Sequence, residues 1–514
     1  MSTEHAIVIG SGMGGMAAAI RLRARGYRVS LVEANEQLGG RAATFHSEGF
    51  RFDAGPTVVT APYLFDELFQ LVGRDPKDYY EMQPVDPYYR VKFDDGSSFD
   101  YVGDEERILS QIEEMSPQDV DGYRRLAAHS EEIFDIGYTQ LADVPFDTIG
   151  EMMRAAPHMI RLRNYRSVHG AVASYIKDPR LRQVFTFQPL LIGGNPFYCP
   201  SIYLLIHWLE RKWGVWFPKG GMGALVNAMG RLMEEIGVEI HLNSPVEHID
   251  VVNGKAKSVR LAGGKTMAAD IVVSNADPST VYTKFIDPQH RKKHTDRNVK
   301  RKRQSMSLFV AYFGAEGSWK DTAHHTILLG PRYKELLHDI FRKRVLADDF
   351  SLYLHRPAWT DTSLDPKGGE GFYVLSPVPN QKSGINWDDT APEYMDRIMN
   401  YLDQGELPGI KAKLKTSFYI DPRHFEGKLQ SMDGAAFGVE PVLHQSAYFR
   451  YHNRSPDVDG LFFCGANTHP GAGLPGVLCS AKVVDKVLPV PAQKEPIPEA
   501  RRIIQPSSDM RISA

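Results

Sequence analysis

Cysteine is scarce in this sequence: three in 514 residues, Cys199, Cys464 and Cys479. None is spaced as C-x-x-C, so neither a disulfide framework nor a zinc site is suggested, no metal is expected, and a reducing, cytoplasmic setting fits best. Long apolar runs are also missing. The best candidate, residues 202–209, is broken by His207 and falls far short of the ~18 residues a spanning helix needs. Any membrane contact is therefore expected to be peripheral, on the cytoplasmic membrane. Charge of one sign is missing too: the formal net charge is −3, which gives no global attraction to nucleic acid. The first residues carry Glu4 and then the strand-like Ala6 to Ile9, without the basic segment and cleavage signal of a secretory leader. No internal repeat or heptad array is evident.

What is present reads as α/β. Residues 6–33 form one strand-helix-strand unit, an apolar run, a glycine turn, a helix rich in small residues (Ala17, Ala18, Ala19, Ile20) and a strand ending at Glu33. This is the opening of a Rossmann-type doubly wound sheet. Residues from about 105 to 217 are mostly helical and broken by prolines, which marks an insertion. Between Val238 and Asp277 the chain returns to short strands separated by Asn253-Gly254 and Gly263-Gly264, a three-stranded excursion followed by a return to the main sheet. Residues near 305–455 mix alternating strands with amphipathic helices, as expected of a second, mixed-sheet domain. The expected division is a discontinuous dinucleotide-binding domain (1–75, 218–280 and 456–488), a substrate domain (76–104 and 281–455), a helical insertion (105–217) that faces a membrane, and a proline-rich flexible tail (489–514).

Gly10-Ser11-Gly12-Met13-Gly14-Gly15 places Gly10, Gly12 and Gly15 on the G-x-G-x-x-G pattern, directly after a strand and at the start of a helix. The first glycine permits the tight turn, the second lets the backbone approach a pyrophosphate, and the third allows helix and strand to pack closely. The helix N-terminus adds free N–H groups and a positive dipole end. Glu33 ends the next strand at the ~20-residue spacing of an acid that accepts ribose hydroxyl bonds, and an acid there disfavours a 2′-phosphate. NAD and FAD share this fingerprint, so the choice between them rests on further residues.

Gly39-Gly40-Arg41 follows closely, and then Gly55-Pro56-Thr57, a pairing that resembles the amine oxidase and phytoene desaturase group of flavoproteins. In that resemblance Arg41 contacts the phosphates, the Gly55 turn approaches the flavin, residues 220–225 form a second glycine turn, and the Val246 backbone meets the adenine. Residues 459–466 deliver Gly465 to the ribityl chain. The helix opening at Gly473, Pro475, Gly476 and Val477 faces the flavin, where its positive end favours the anionic reduced form. The cofactor implied is FAD. Longer strings, residues 84–90, 190–197, 201–203, 213–218, 330–333, 347–355, 452–454 and 468–477, resemble the bacterial-type phytoene desaturases, and the similarity runs over roughly residues 5–485.

The resemblance implies successive dehydrogenation of phytoene toward neurosporene or lycopene, with oxygen or a quinone reoxidising the flavin. Related alternatives are a desaturase, isomerase or saturase for a C30 or hydroxylated polyene, an amine oxidase, which would need an aromatic cage, or a non-catalytic flavin and carotenoid binder. Glu151 and Arg154 sit three apart, where the family carries an acid and an arginine near the substrate, and are the catalytic candidates. A packed position is expected for Cys464 and a structural hydrogen bond for His469. Methionines and arginines interleaved over residues 152–166 have the composition of a helix lying on lipid. Trp208, Trp213 and Trp216 suit an interfacial belt or a tunnel wall, and the basic run over residues 291–303 suits anionic head groups. It lacks the aromatics that nucleic acid binding would need.

Overall fold

The computed structural model describes residues 3–366 and 368–498. A five-stranded parallel sheet runs in the order Leu461–Phe463, Ile271–Ser274, His5–Ile9, Arg28–Val32, Glu239–His241. Its strands are mostly apolar because both faces are covered: Ala6, Val8, Val29 and Leu31 pack against helices, and Ile7, Ile9 and Val272 against Val246, Ile249 and Val259. The helix Met13–Arg25 packs closely for a reason visible at one position: a Cβ on Gly15 would lie 2.0 Å from the Gly10 carbonyl oxygen. Gly10 itself has φ +88°, which a side chain would strain. The last helix, Leu474–Val487, lies against Met13–Arg25, so the two ends of the chain complete one unit.

Val246–Val252, Lys255–Leu261 and Thr266–Ala268 form the antiparallel excursion, and Ile271–Ser274 then returns to the parallel sheet. A second sheet has seven strands in the order Leu414–Ile420, Ser307–Glu316, Gly369–Val378, Leu352–His355, His325–Leu328, Tyr89–Lys92, Ser98–Tyr101. It is mixed: His325–Leu328 pairs parallel with Tyr89–Lys92, and the other pairs are antiparallel. Helices between residues 105 and 213 pack on the Tyr89–Tyr101 end of this sheet, sharing a core with Tyr89, Phe99 and Tyr101. No helix among the described residues is long and apolar enough to cross a membrane.

The expected flexible tail is tied down over its first ten residues. Tyr27 Oη donates to the Pro489 carbonyl (2.8 Å), Arg23 Nη2 to that of Pro496 (3.0 Å), and the Glu495 N–H to that of Gly26 (2.7 Å). Residues 499–514 of that expectation lie outside the described residues. The basic run is partly consumed by structure as well. Arg291 is buried and paired with Asp296, and the N–H groups of Lys292 and Lys293 cap the Asp457 carboxylate.

Candidate active site

One cavity of about 1050 Å³ lies between the two sheets and the helical segment. That is the upper end of what a single small ligand occupies, and leaves space for a dinucleotide together with a chain-like substrate. Gly10, Gly12, Glu33, Gly39, Gly40, Arg41, Gly55, Pro56, Thr57, Val246, Gly465, Gly473, Pro475, Gly476 and Val477 all line it. Gly15 does not, since its role is to let the first helix approach the first strand.

The glycine turns meet around a residue that the sequence reading passed over. Asn275 follows the strand Ile271–Ser274, and its N–H donates to the Ile9 carbonyl (2.8 Å). A Cβ placed on Gly12, Gly14 or Gly465 would fall 2.6–2.7 Å from its side-chain amide. The first and last glycine turns are therefore threaded by one amide and held at a fixed separation. Glu33 is buried with all its acceptor sites engaged: Oε2 accepts from Ser11 N and Oγ (2.8 and 2.7 Å), Oε1 from Asn35 N and Nδ2 (2.9 and 2.8 Å). Two of these donors are side chains, which a ribose diol can replace without disturbing the backbone bonds.

The Gly55 turn is held by tyrosines of the second sheet. Tyr312 Oη donates to the Ala54 carbonyl (2.7 Å), Tyr373 Oη to that of Gly55 (2.8 Å), and Thr57 Oγ1 lies 2.7 Å from Tyr353 Oη. Arg41 binds the 431–436 segment through the Ala436 carbonyl (2.8 Å) and Ser431 Oγ (2.6 Å) while its flank lines the cavity. Burial lowers its pKa, with Asp277 opposing that effect. At the other end, buried Arg450 donates to the carbonyls of Ala466 (2.7 Å) and Thr468 (3.2 Å), which fixes the turn leading into Leu474–Val487. That arginine was also passed over.

Four expectations are corrected. Residues 220–225 do not line the cavity: Asp53 caps the helix Gly221–Glu235, accepting from the N–H groups of Met222 (3.0 Å) and Gly223 (3.3 Å), so this glycine turn serves the fold. Glu151 and Arg154 are not in the cavity either. Glu151 closes a capping box with Thr148 at the start of Ile149–Arg161, and Arg154 is exposed. The helix instead turns Met152, Ala155, Ala156 and Met159 inward. Trp213 sits in a cluster with Tyr63, Phe134 and Tyr138 rather than in a surface belt. Cys464 is buried, its thiol raised by burial, and is not among the lining residues. His469 is buried with neither ring nitrogen hydrogen-bonded among the described residues, and burial pushes it down to about 4.

The acidic residue in the wall of the apolar part of the cavity is Glu210, on the helix Leu205–Trp213. It is 1% exposed, Oε1 accepts from Tyr89 Oη (2.8 Å), and Oε2 is buried with no partner among the described residues. Burial pushes its pKa up to about 8, against the lowering effects of the Tyr89 and Tyr101 hydroxyls. Tyr89, Phe187, Leu191, Ile206 and Leu209 line the same cavity.

Against this geometry, the model of the family described as flavin containing amine oxidoreductase matches residues 13–484. A lycopene-forming phytoene desaturase of Pseudescherichia vulneris is 46% identical over 94% of this chain and 99% of its own. The chain belongs to the phytoene desaturase family of flavin-containing oxidoreductases. A neurosporene-forming phytoene desaturase of Rhodobacter capsulatus is 41% identical over 94% of each chain. A putrescine oxidase solved with putrescine shares the fold alone, with a TM-score of 0.63 and 14% identity over 94% of this chain and 98% of that one. Family membership makes the protein an FAD-dependent oxidoreductase, and the cavity fits that cofactor. Gly10–Gly12 and Gly39–Arg41 would hold the pyrophosphate, Glu33 the ribose, Val246 the adenine end, and Gly55–Thr57 with Gly473–Val477 the flavin end.

Proposed function

We propose that this enzyme desaturates phytoene or a closely related long polyene in successive steps toward neurosporene or lycopene. The observation that carries the reading is the continuity of the cavity. It runs from the glycine turns through an apolar stretch of Met152, Met159, Phe187, Leu191 and Ile206 to Ile160, Tyr165 and Leu443, which are lining residues 68, 67 and 49% exposed. A chain-like hydrocarbon can therefore reach the flavin end from outside while the rest of it stays out of water.

FAD, when bound, supplies the two-electron acceptor for a hydride. The protein's own part is orientation, exclusion of water and handling of the proton. An allylic C–H offers no polar handle, so alignment along the apolar wall accounts for much of the rate. After hydride loss the adjacent carbon must lose a proton. Glu210 Oε2, unpaired and inside the wall, is the group we assign to accept it, with Tyr89 holding the other oxygen. Oxygen or a quinone serves as final acceptor, and the cytoplasmic face of a membrane supplies the substrate through the exposed apolar rim.

The test is incubation of FAD-loaded protein with phytoene in liposomes, under oxygen or with a quinone, with products separated chromatographically. Progressively red-shifted polyenes support the reading, and the end product counts the steps. Folded, flavin-loaded and liposome-bound protein that yields no product rejects it.

A further inference from the structure

Behind the Tyr89 and Tyr353 wall of the cavity lie three histidines. His325 and His355 are register partners on adjacent antiparallel strands, which places their side chains on one face, and His324 directly precedes the first of those strands. All three are buried. Their ring centroids are 4.4 Å (His324–His325), 4.8 Å (His324–His355) and 5.7 Å (His325–His355) apart, and one ring nitrogen from each lies within 4.8 Å of the others. Among the described residues, Nε2 of His324, Nε2 of His325 and both ring nitrogens of His355 have no hydrogen-bond partner. Four orphaned nitrogens in one place stand out, because buried polar groups are nearly always paired.

The bonds these rings make set the tautomer of His325 and are compatible with a free lone pair on Nε2 of His324. His325 Nδ1 lies 2.9 Å from the Tyr88 carbonyl oxygen, which can only accept, so Nδ1 carries the proton and Nε2 presents a lone pair. His324 Nδ1 lies 2.6 Å from Thr360 Oγ1, a hydroxyl able to accept in the same way, which leaves its Nε2 free. A ring N–H held by an oxygen while the opposite nitrogen points at a shared centre is how metal-binding histidines are oriented. The neighbouring Arg356 cation is already matched by a two-pronged pair with Glu370 (2.7 and 2.8 Å).

We propose that His324, His325 and His355 bind one divalent transition-metal ion, with zinc the best match to three neutral imidazoles. Tetrahedral ligands at about 2.0–2.1 Å from the ion sit roughly 3.4 Å from one another, so rotation of the three side chains closes the site, and water takes the fourth position. The ion is structural. His325 stacks on Tyr89 (5.6 Å) and Tyr353 (5.7 Å), both cavity-lining, so a bound ion locks the wall that holds Tyr89 against Glu210.

The experiment uses tag-free, FAD-loaded full-length protein, stripped with a chelator and titrated with Co(II), whose four-coordinate d–d bands lie to the red of the flavin. One saturable Co(II) per chain, displaced by Zn(II), is expected. H355Q should weaken binding by at least about tenfold, and exposed-residue control H158Q should leave it unchanged. X-ray absorption on the wild-type zinc-loaded protein, which needs no variant to fold, should give three imidazole nitrogens at about 2.0 Å. No saturable uptake by folded, flavin-loaded protein overturns the proposal, as does an oxygen-only coordination shell or equal binding by H355Q. Ordered water satisfying the same nitrogens would give the first of those results.

Discussion

A carboxyl group sealed in hydrocarbon keeps its proton to higher pH than one in water, and this sets what Glu210 does at each pH. Its pKa is pushed from the ordinary 4.5 up to about 8, so the folded protein holds a proton there that the unfolded chain releases above about 4.5. Folded protein binding more protons than unfolded means that stability falls as pH rises across that window. E210Q, a neutral near-isostere, removes the titration. Melting curves of the two proteins between pH 5 and 8 should therefore diverge, the wild type losing ground to E210Q toward pH 8; parallel curves would place Glu210 outside the buried network. The base form needed for proton removal grows through the same interval, so wild-type turnover should rise as pH passes about 8. E210Q should lose about 100-fold or more in kcat with FAD content unchanged. A variant with unaltered turnover would return the acid to a purely structural role.

At the scale of elements, the glycine turns illustrate how tightly the two chain ends are joined. Asn275 occupies the space that side chains on Gly12, Gly14 and Gly465 would need. Asn275→Leu should therefore spread the first and last turns and yield soluble protein with FAD bound at least tenfold more weakly, measured by flavin release on dilution. G15A should do more: its Cβ meets a carbonyl 2.0 Å away that cannot move without shifting the first strand, and apoprotein is the expected product. These turns were legible because their chemistry is local, with a strand, glycines and an acid in register within about 25 residues. What failed to be legible was non-local or on the wrong face. The second sheet takes Tyr89–Lys92 and Ser98–Tyr101 from far upstream; residues 76–104 were expected in that domain, but nothing local announces the parallel pairing of Tyr89–Lys92 with His325–Leu328. Glu210 follows the apolar run 202–209 and directly precedes Arg211 and Lys212, where it reads as one more surface charge. The inward face of Ile149–Arg161, by contrast, was written in the sequence. Met152, Ala155, Ala156 and Met159 follow helical spacing, and attention to that period rather than to the Glu151–Arg154 pair would have turned the acid outward. Glu151→Gln should leave kcat within about twofold, at a cost of about 1 kcal/mol or less through the weakened capping box, measurable by denaturant unfolding.

For the whole molecule, the arrangement of exposed apolar side chains bears on how a water-insoluble substrate arrives. Ile149, Met153, Ile160 and Tyr165 from one segment and Leu443 and Phe449 from another are all exposed, and the two segments touch where the helix Ile149–Arg161 meets the turn Ala447–Phe449. Isolated apolar residues on a surface need no explanation, but Ile160, Tyr165 and Leu443 of this group also line the cavity. Burying one such side chain in a bilayer interface is worth roughly 1.5–3 kcal/mol, so two of them account for at least about 100-fold in membrane affinity. M153E/I160E is accordingly expected to cut liposome binding by about that factor while retaining FAD and thermal stability, because both residues are exposed and add nothing to the core. The basic residues nearby, Arg154, Arg163 and Arg166, would add a salt-sensitive increment on anionic lipid. Apolar and electrostatic contributions separate experimentally: moderate salt should weaken the wild type on anionic vesicles but hardly on neutral ones, whereas M153E/I160E should be weak on both. Unchanged binding by that variant would mean that this face does not meet the bilayer, and that the polyene enters the cavity from a carrier instead.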